Sequence, residues 1–327
     1  MRCRDWKTLR KSDYRVAIEK TEKWCLVYRM KRIILNLAFV VVLAVFPEKA
    51  AAQVLYVVND YNGTAGQYNS TTGTPINSSF ITGPGIAQGI AISGNNLYIA
   101  YNSSNVIAYN ATTGASLFSI SIGSEFGLAT QGIAISGNNL FVSANNNTIG
   151  LYDATTGATL NSNFITSGLI GPKGMVTSGN NLFVCNYASG TVGQYNATSG
   201  ASINNNFISE GLVSPSYLTI SGNTLFVSGY NYVRAYDITT GLISSSFVSE
   251  YLGVAYGLAV SQNSLFVAYE NTIGEYDAVS GATVNSSLVT GLNAPTGIAI
   301  SSVPEPSALS LLAVGLGGWA IVSRRRS

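Results

Sequence analysis

A leucine followed by an aromatic residue returns along this chain at Leu55-Tyr56, Leu97-Tyr98, Leu140-Phe141, Leu182-Phe183, Leu225-Phe226 and Leu265-Phe266. The intervals are 42, 43, 42, 43 and 40 residues. A second marker keeps step with it: Tyr68, Tyr109, Tyr152, Tyr195, Tyr236 and Tyr276 each precede a glycine by five residues. A period of this size constrains the fold more than anything else in the sequence. Each copy is one supersecondary unit that cannot bury its apolar faces alone, so neighbouring copies must stack.

Each copy reads as four strands. In the third, Gly132-Ile133-Ala134-Ile135-Ser136 is the first strand and Leu140 to Ala144 the second. Gly137-Asn138-Asn139 joins them as a tight turn, because Gly and Asn tolerate positive φ. Thr148 to Asp153 is the third strand. Ala154-Thr155-Thr156-Gly157 turns the chain into the fourth, Ala158 to Ile165. Four short strands in 40–45 residues describe a propeller blade. Few charges (10% of residues) and no long amphipathic pattern argue against an all-α fold.

The phase of the repeat predicts how the ring closes. Leu55 belongs to a second strand, so the first blade lacks its first strand. A sixth such strand, Gly297-Ile298-Ala299-Ile300-Ser301, stands at the far end with nothing after it. The two fragments complete each other and leave no open ring edge. The expectation is an all-β, six-bladed β-propeller over residues 54–301, its first and last blades joined by circular strand closure. A solenoid is the alternative, but it has no need of complementary ends. The units resemble NHL and YVTN-like propeller repeats, in which a Gly-hydrophobic strand leads into a Leu-Tyr-Val strand and then a Tyr/Phe-Asp strand. The Trp-Asp pair of WD repeats is replaced here by Tyr-Asp or Tyr-Asn.

The two ends read as addresses. Met30-Lys31-Arg32 precedes the apolar run Ile33 to Phe46, and Ala50-Ala51-Ala52 follows. A basic start, a short apolar stretch and a small-x-small exit form a secretory signal peptide over residues 30–52, with Ala50 and Ala52 at the small positions and cleavage after Ala52. Residues 1–29 are polar and charged, and read as an extension upstream of a true start at Met30. At the other end Pro304-Glu305-Pro306 is followed by the apolar run Ala308 to Val322 and then Arg324-Arg325-Arg326. That run is shorter than the ~20 residues that span a bilayer comfortably, but flanking residues can extend it by snorkelling. The arginines belong on the cytoplasmic side.

Residues 303–327 resemble the PEP-CTERM sorting signal, with its Pro-Glu-Pro motif, single transmembrane helix and terminal arginine cluster in order. The resemblance implies an exosortase as partner and a precursor tethered at the inner membrane of a Gram-negative-type bacterium. It further implies transfer to the outer surface or extracellular matrix, often alongside exopolysaccharide.

Between these ends the chain carries Lys173 and Arg234 against nine acids, a net charge of −7. Such a domain cannot neutralise a phosphate backbone, which excludes nucleic acid. Histidine is absent, which removes the commonest general base and metal ligand. Cys185, the one cysteine of this region, sits in a strand run and has no histidine to activate it. No cofactor is expected. Asp153, Asp237 and Asp277 share a repeat position with Asn69, Asn110 and Asn196, and read as turn initiators. Glu125, Glu210 and Glu250 fall in connections between blades, where three carboxylates could hold Ca²⁺.

The expected role is a binding or structural module without catalysis. The loops between second and third strands carry Tyr61, Tyr101, Tyr187, Tyr230, Tyr232 and Tyr269 among asparagines, and should share a face with the connections between blades. Tyrosine offers a rigid apolar face with a polar tip and asparagine offers donors and acceptors, a mixture suited to a surface glycan or exopolysaccharide. The enzyme alternative is a metal-dependent lactonase-like hydrolase, since six-bladed propellers include such enzymes. A passive matrix component is a third reading, with triplets such as Asn69-Ser70-Thr71 and Asn196-Ala197-Thr198 as glycan acceptors or as mere composition.

Overall fold

The structure, a computed structural model, describes residues 53–122, 130–248 and 253–301. The side chains of Thr130 and of residues 244–246 are not among them. The expected signal peptide with Ala50 and Ala52, the expected extension before it, and the sorting tail with its expected helix, Pro304, Glu305, Pro306, Arg324, Arg325 and Arg326, lie outside the described residues.

The described chain forms six four-stranded antiparallel sheets. The first contains β1 (Val54–Asn59), β2 (Thr64–Asn69) and β3 (Pro75–Thr82). The second is β4 (Ala87–Ser93), β5 (Asn96–Tyr101), β6 (Asn105–Asn110) and β7 (Ser116–Ser121). The third is β8 (Thr130–Ser136), β9 (Asn139–Ala144), β10 (Thr148–Asp153) and β11 (Thr159–Ile165). The fourth is β12 (Pro172–Ser178), β13 (Asn181–Asn186), β14 (Thr191–Asn196) and β15 (Ser202–Ile208). The fifth is β16 (Tyr217–Ser221), β17 (Thr224–Gly229), β18 (Tyr232–Asp237) and β19 (Ile243–Val248). The sixth is β20 (Ala255–Ser261), β21 (Ser264–Tyr269), β22 (Thr272–Asp277) and β23 (Thr283–Val289).

The last strand, β24 (Pro295–Ser301), returns to the first sheet. It pairs antiparallel with β1, Val54 opposite Ser301 and Val57 opposite Ile298. The predicted circular closure is therefore present, and the inner strands β24, β4, β8, β12, β16 and β20 follow one another around a ring. Closure gives the first blade its missing strand from the far end of the sequence and removes the open edge between blades.

Both faces of the second strand in every blade pack against neighbours, which explains its unbroken apolar run. The six leucines of the repeat are wholly buried, and their aromatic partners nearly so. In five blades that aromatic meets a phenylalanine of the outermost strand, as in Phe226–Phe247 with ring centroids 4.9 Å apart and Phe183–Phe207 at 5.2 Å. Each such pair contributes about 0.5–1.5 kcal/mol beyond the area it buries. In blades two to six the hairpin after the inner strand has two residues. In blades two to five its first residue is a glycine at positive φ, such as Gly137 (φ 57°), while the following asparagine stays out of that region. That is the type II′ pattern. In the sixth blade Gln262 stands there at φ 52°.

Candidate ligand rim and axial channel

The loops between second and third strands do share a face with the connections between blades. The Asp60 N–H donates to the Ala294 carbonyl (3.0 Å), Asn102 N–H to Ile86 (2.9 Å), Tyr187 N–H to Gly171 (3.0 Å) and Asn231 N–H to Gly253 (2.7 Å). Asparagines reinforce this lacing. Asn147 Oδ1 accepts from the Gly171 N–H (2.7 Å), Asn186 Oδ1 from Ile170 (3.1 Å) and Asn271 Oδ1 from Ala294 (3.2 Å). These side chains hold connectors in place.

The six tyrosines divide. Tyr61, Tyr187 and Tyr230 lie within the loops and are 78%, 39% and 53% exposed. Tyr101 and Tyr232 are buried and do not belong to the rim. Tyr101 ends β5, where the pleat turns it into the blade, and its hydroxyl meets that of Tyr109 at 3.0 Å. Burial, then this contact, pushes the Tyr101 phenol far above its ordinary range. Tyr232 opens β18 and accepts the Val213 N–H at 3.2 Å. Tyr269 ends β21, is partly buried, and donates its hydroxyl to the Ser286 carbonyl.

Other side chains join the exposed three. Each inner strand begins on this face, and the residue just before its repeated glycine stands at the channel mouth: Gln88, Gln131, Lys173, Ser216, Tyr256 and Thr296. Lys173 places its ammonium 3.7 Å from the centre of the Tyr187 ring. Burial lowers the affinity of that amine for its proton. Gln88 Nε2 donates to Asp60 Oδ1 at 3.0 Å, and burial raises the Asp60 carboxyl above the usual carboxylate range. Burial first, and then the nearby Tyr187, Asp60 and Tyr61, raise the Tyr256 phenol above its ordinary value. Sequence reasoning passed over these groups. Their signal was the column of residues preceding the repeated glycine.

That glycine column governs the axis. Gly89, Gly132, Gly174, Gly257 and Gly297 line the narrow centre with Tyr217, which occupies the same position in the fifth blade. The glycines are needed for close approach of backbones. A Cβ on Gly174 would fall 2.6 Å from both the Ser216 carbonyl oxygen and Tyr217 Cα. Tyr217 reaches across the ring and donates its hydroxyl to the Gln88 carbonyl. The space left at this level is about 50 Å³, little more than a few water-sized spheres.

The repeated acids serve turns, as read from their spacing. Asp153 Oδ1 accepts the N–H groups of Thr155 (2.8 Å) and Thr156 (2.7 Å). Asp237 and Asp277 do the same for residues two and three ahead, and Asn69, Asn110 and Asn196 complete the set with their amide oxygens. Glu210 is exposed, whereas Glu125 and Glu250 lie outside the described residues. Among the described residues no group of three or more acids or thiols is arranged to hold a metal ion. Cys185 is wholly buried in β13, and burial pushes its thiol far up.

Residues 61–287 match the family model PQQ_2, described as outer membrane protein assembly factor BamB, and residues 302–326 match the PEP-CTERM protein-sorting motif. No curated protein matches the chain. Among solved structures, a chain of the nidogen/laminin complex superimposes with a TM-score of 0.63 at 15% identity, covering 76% of this chain and 98% of that one. A protein of unknown function from Bacteroides caccae gives 0.60 at 16% identity, covering 76% and 99%. At these identities the likeness shows the fold alone.

Proposed function

The chain belongs to the PQQ_2 propeller family and ends in a PEP-CTERM signal; from that premise we propose that it is an exopolysaccharide-binding surface protein whose working face is the tyrosine rim. The signal marks an exported precursor that an exosortase processes. The observation that carries the reading is the cluster of exposed Tyr61, Tyr187 and Tyr230 around a mouth furnished by Lys173, Asp60, Gln88 and Tyr256. Flat aromatic faces beside donors and acceptors suit the alternating apolar and hydroxyl surfaces of a sugar.

Direction supports it as well. β24 starts beside the rim, where Ala294 binds Asp60, and ends at Ser301 opposite Val54, on the other face. Pro304 follows three residues later, within ~11 Å even for extended chain. A precursor held by this tail presents the rim away from the membrane. The tyrosine across the axis favours surface recognition over a reaction inside the channel, which counts against the lactonase-like alternative.

The test is retention of the full-length chain on the producing organism's own exopolysaccharide. Wild type should be retained, and the triple variant Tyr61→Ala, Tyr187→Ala, Tyr230→Ala should lose at least tenfold in affinity, since stacking losses of ~1 kcal/mol or more per ring accumulate. Failure of the intact protein to bind sinks the reading.

A further inference from the structure

Arg234 is the single arginine between the signal peptide and the tail, in a region where acids outnumber cations nine to two. Among the described residues it has no carboxylate partner. It stands on β18 where four other blades carry glycine, and its guanidinium carbon lies 4.8 Å from the centre of the Tyr232 ring. Gly211, at φ 73°, makes room for it: a Cβ there would lie 2.5 Å from Arg234 Nη1. The side chain is therefore stacked and seated on one face of a cleft of about 540 Å³ between the fourth and fifth blades.

Two buried polar atoms beside that cleft make no hydrogen bond of good geometry: Arg234 Nε and the hydroxyl of Tyr236, whose side chain is 2% exposed. The hydroxyl lies close enough to the Arg234 guanidinium for that cation to offset part of the rise that burial imposes on the phenol. Buried polar groups are nearly always satisfied, and one left open destabilises the fold around it. Arg234 and Tyr236 both line one cavity, together with Glu210, Ser209, Thr240 and apolar Leu242. The donor set asks for an anion at Arg234 and Tyr236. Glu210 asks for hydroxyl donors and would repel a compact, fully charged oxyanion.

We propose that this cleft is a second binding site, for a carboxylate-bearing sugar ring of the uronate type. The carboxylate engages the guanidinium fork and the Tyr236 hydroxyl, the ring hydroxyls donate to Glu210, and the apolar ring edge lies on Leu242. Planar, bidentate recognition of carboxylate is the chemistry to which arginine is suited. The site is on the flank of the ring, so it does not depend on the tyrosine rim.

Calorimetric titration of the full-length chain in detergent with glucuronate, glucose and glutamate tests it. Glucuronate should bind saturably and at least tenfold more tightly than the other two. Arg234→Gln should abolish that preference, and Arg234→Lys should weaken glucuronate at least tenfold, because it keeps the charge and loses the fork. Tyr236→Phe should weaken it several-fold without disturbing the blade, and carries the test if the arginine variants misfold. The triple rim variant should bind glucuronate like wild type, whatever the fate of the rim reading. Equal affinity for glucuronate and glucose, unchanged binding by Arg234→Gln or Tyr236→Phe, or glutamate binding as tightly as glucuronate would each overturn the proposal. The last would point to an acidic peptide instead.

Discussion

Replacing Gly174 by alanine asks how tightly the ring is drawn. Ordinary contact begins near 3.4 Å, so a new Cβ 2.6 Å from two backbone atoms of the fifth blade is about 0.8 Å too close on each. Neither Ser216 nor Tyr217 can yield through a side-chain rotation, because the colliding atoms are main chain. The Gly174 N–H also donates to that same Ser216 carbonyl at 2.9 Å, so relief by separation lengthens a buried hydrogen bond. Overpacking of this kind costs about 1–3 kcal/mol, and alanine returns about 0.4–1 kcal/mol by restricting the unfolded chain. In a closed ring no blade moves alone, so the high end applies and the net loss is about 2 kcal/mol. For a domain of this size that lowers the Tm by about 4–8 °C. Gly85→Ala is the control. Its nearest neighbour would be Asn102 Oδ1 at 3.4 Å and its φ is not left-handed, so it should match or slightly exceed wild type. Thermal unfolding followed by far-ultraviolet circular dichroism of the full-length chain reads both. If Gly174→Ala melts at or above wild type while Gly85→Ala is neutral, the inner strands are not in the contact described.

Gln262→Gly should stabilise the protein by about 1 kcal/mol, because a left-handed residue with a Cβ is strained and the equivalent position in four other blades is already glycine; a higher denaturant midpoint with an unchanged m-value checks it. The carboxyls of Asp153, Asp237 and Asp277 are held below their ordinary value by side-chain and backbone bonds from the residues two and three ahead. A lowered folded-state pKa adds stability above the unfolded value of about 3.9 that is lost as pH falls through the folded one. The triple Asp→Asn variant, which copies the three blades that already use asparagine, should therefore lose less stability than wild type between about pH 5 and pH 2. Asp60 is shifted the opposite way but is common to both proteins, so identical acid profiles would show that the turns contribute nothing.

Much of the ring was legible because its signals are periodic. A leucine–aromatic column every 40–43 residues fixes the second strand of each blade, and a tyrosine five residues before a glycine fixes the third strand and its turn. The closing strand was legible too, because the first and last fragments of the repeat are complementary and an unpaired edge is unfavourable. The turn-initiating acids could be read from their equivalence with asparagine, since both side chains accept the same N–H groups.

The site was only half legible. Tyr101, Tyr232 and Tyr269 sit beside the same asparagine-rich loops as Tyr61, Tyr187 and Tyr230, and composition does not tell the two groups apart. The pleat decides: a tyrosine that starts or ends a strand is turned into the blade, and one inside the loop is left in solvent. Tyr217 reads locally as one more strand residue, yet it fills the axis because five other blades, from Gly89 to Gly297, place glycine around it. Arg234 reads as a stray charge until the fold brings Tyr232, Gly211 and Tyr236 around it. Local period and local chemistry were enough for the repeat, the number of blades, the closure and the sorting signal, because each is written in neighbouring residues. Which side chains face solvent, what occupies the axis and where a cation stands without a carboxylate emerged only from the folded ring, because each depends on what another blade places across the gap.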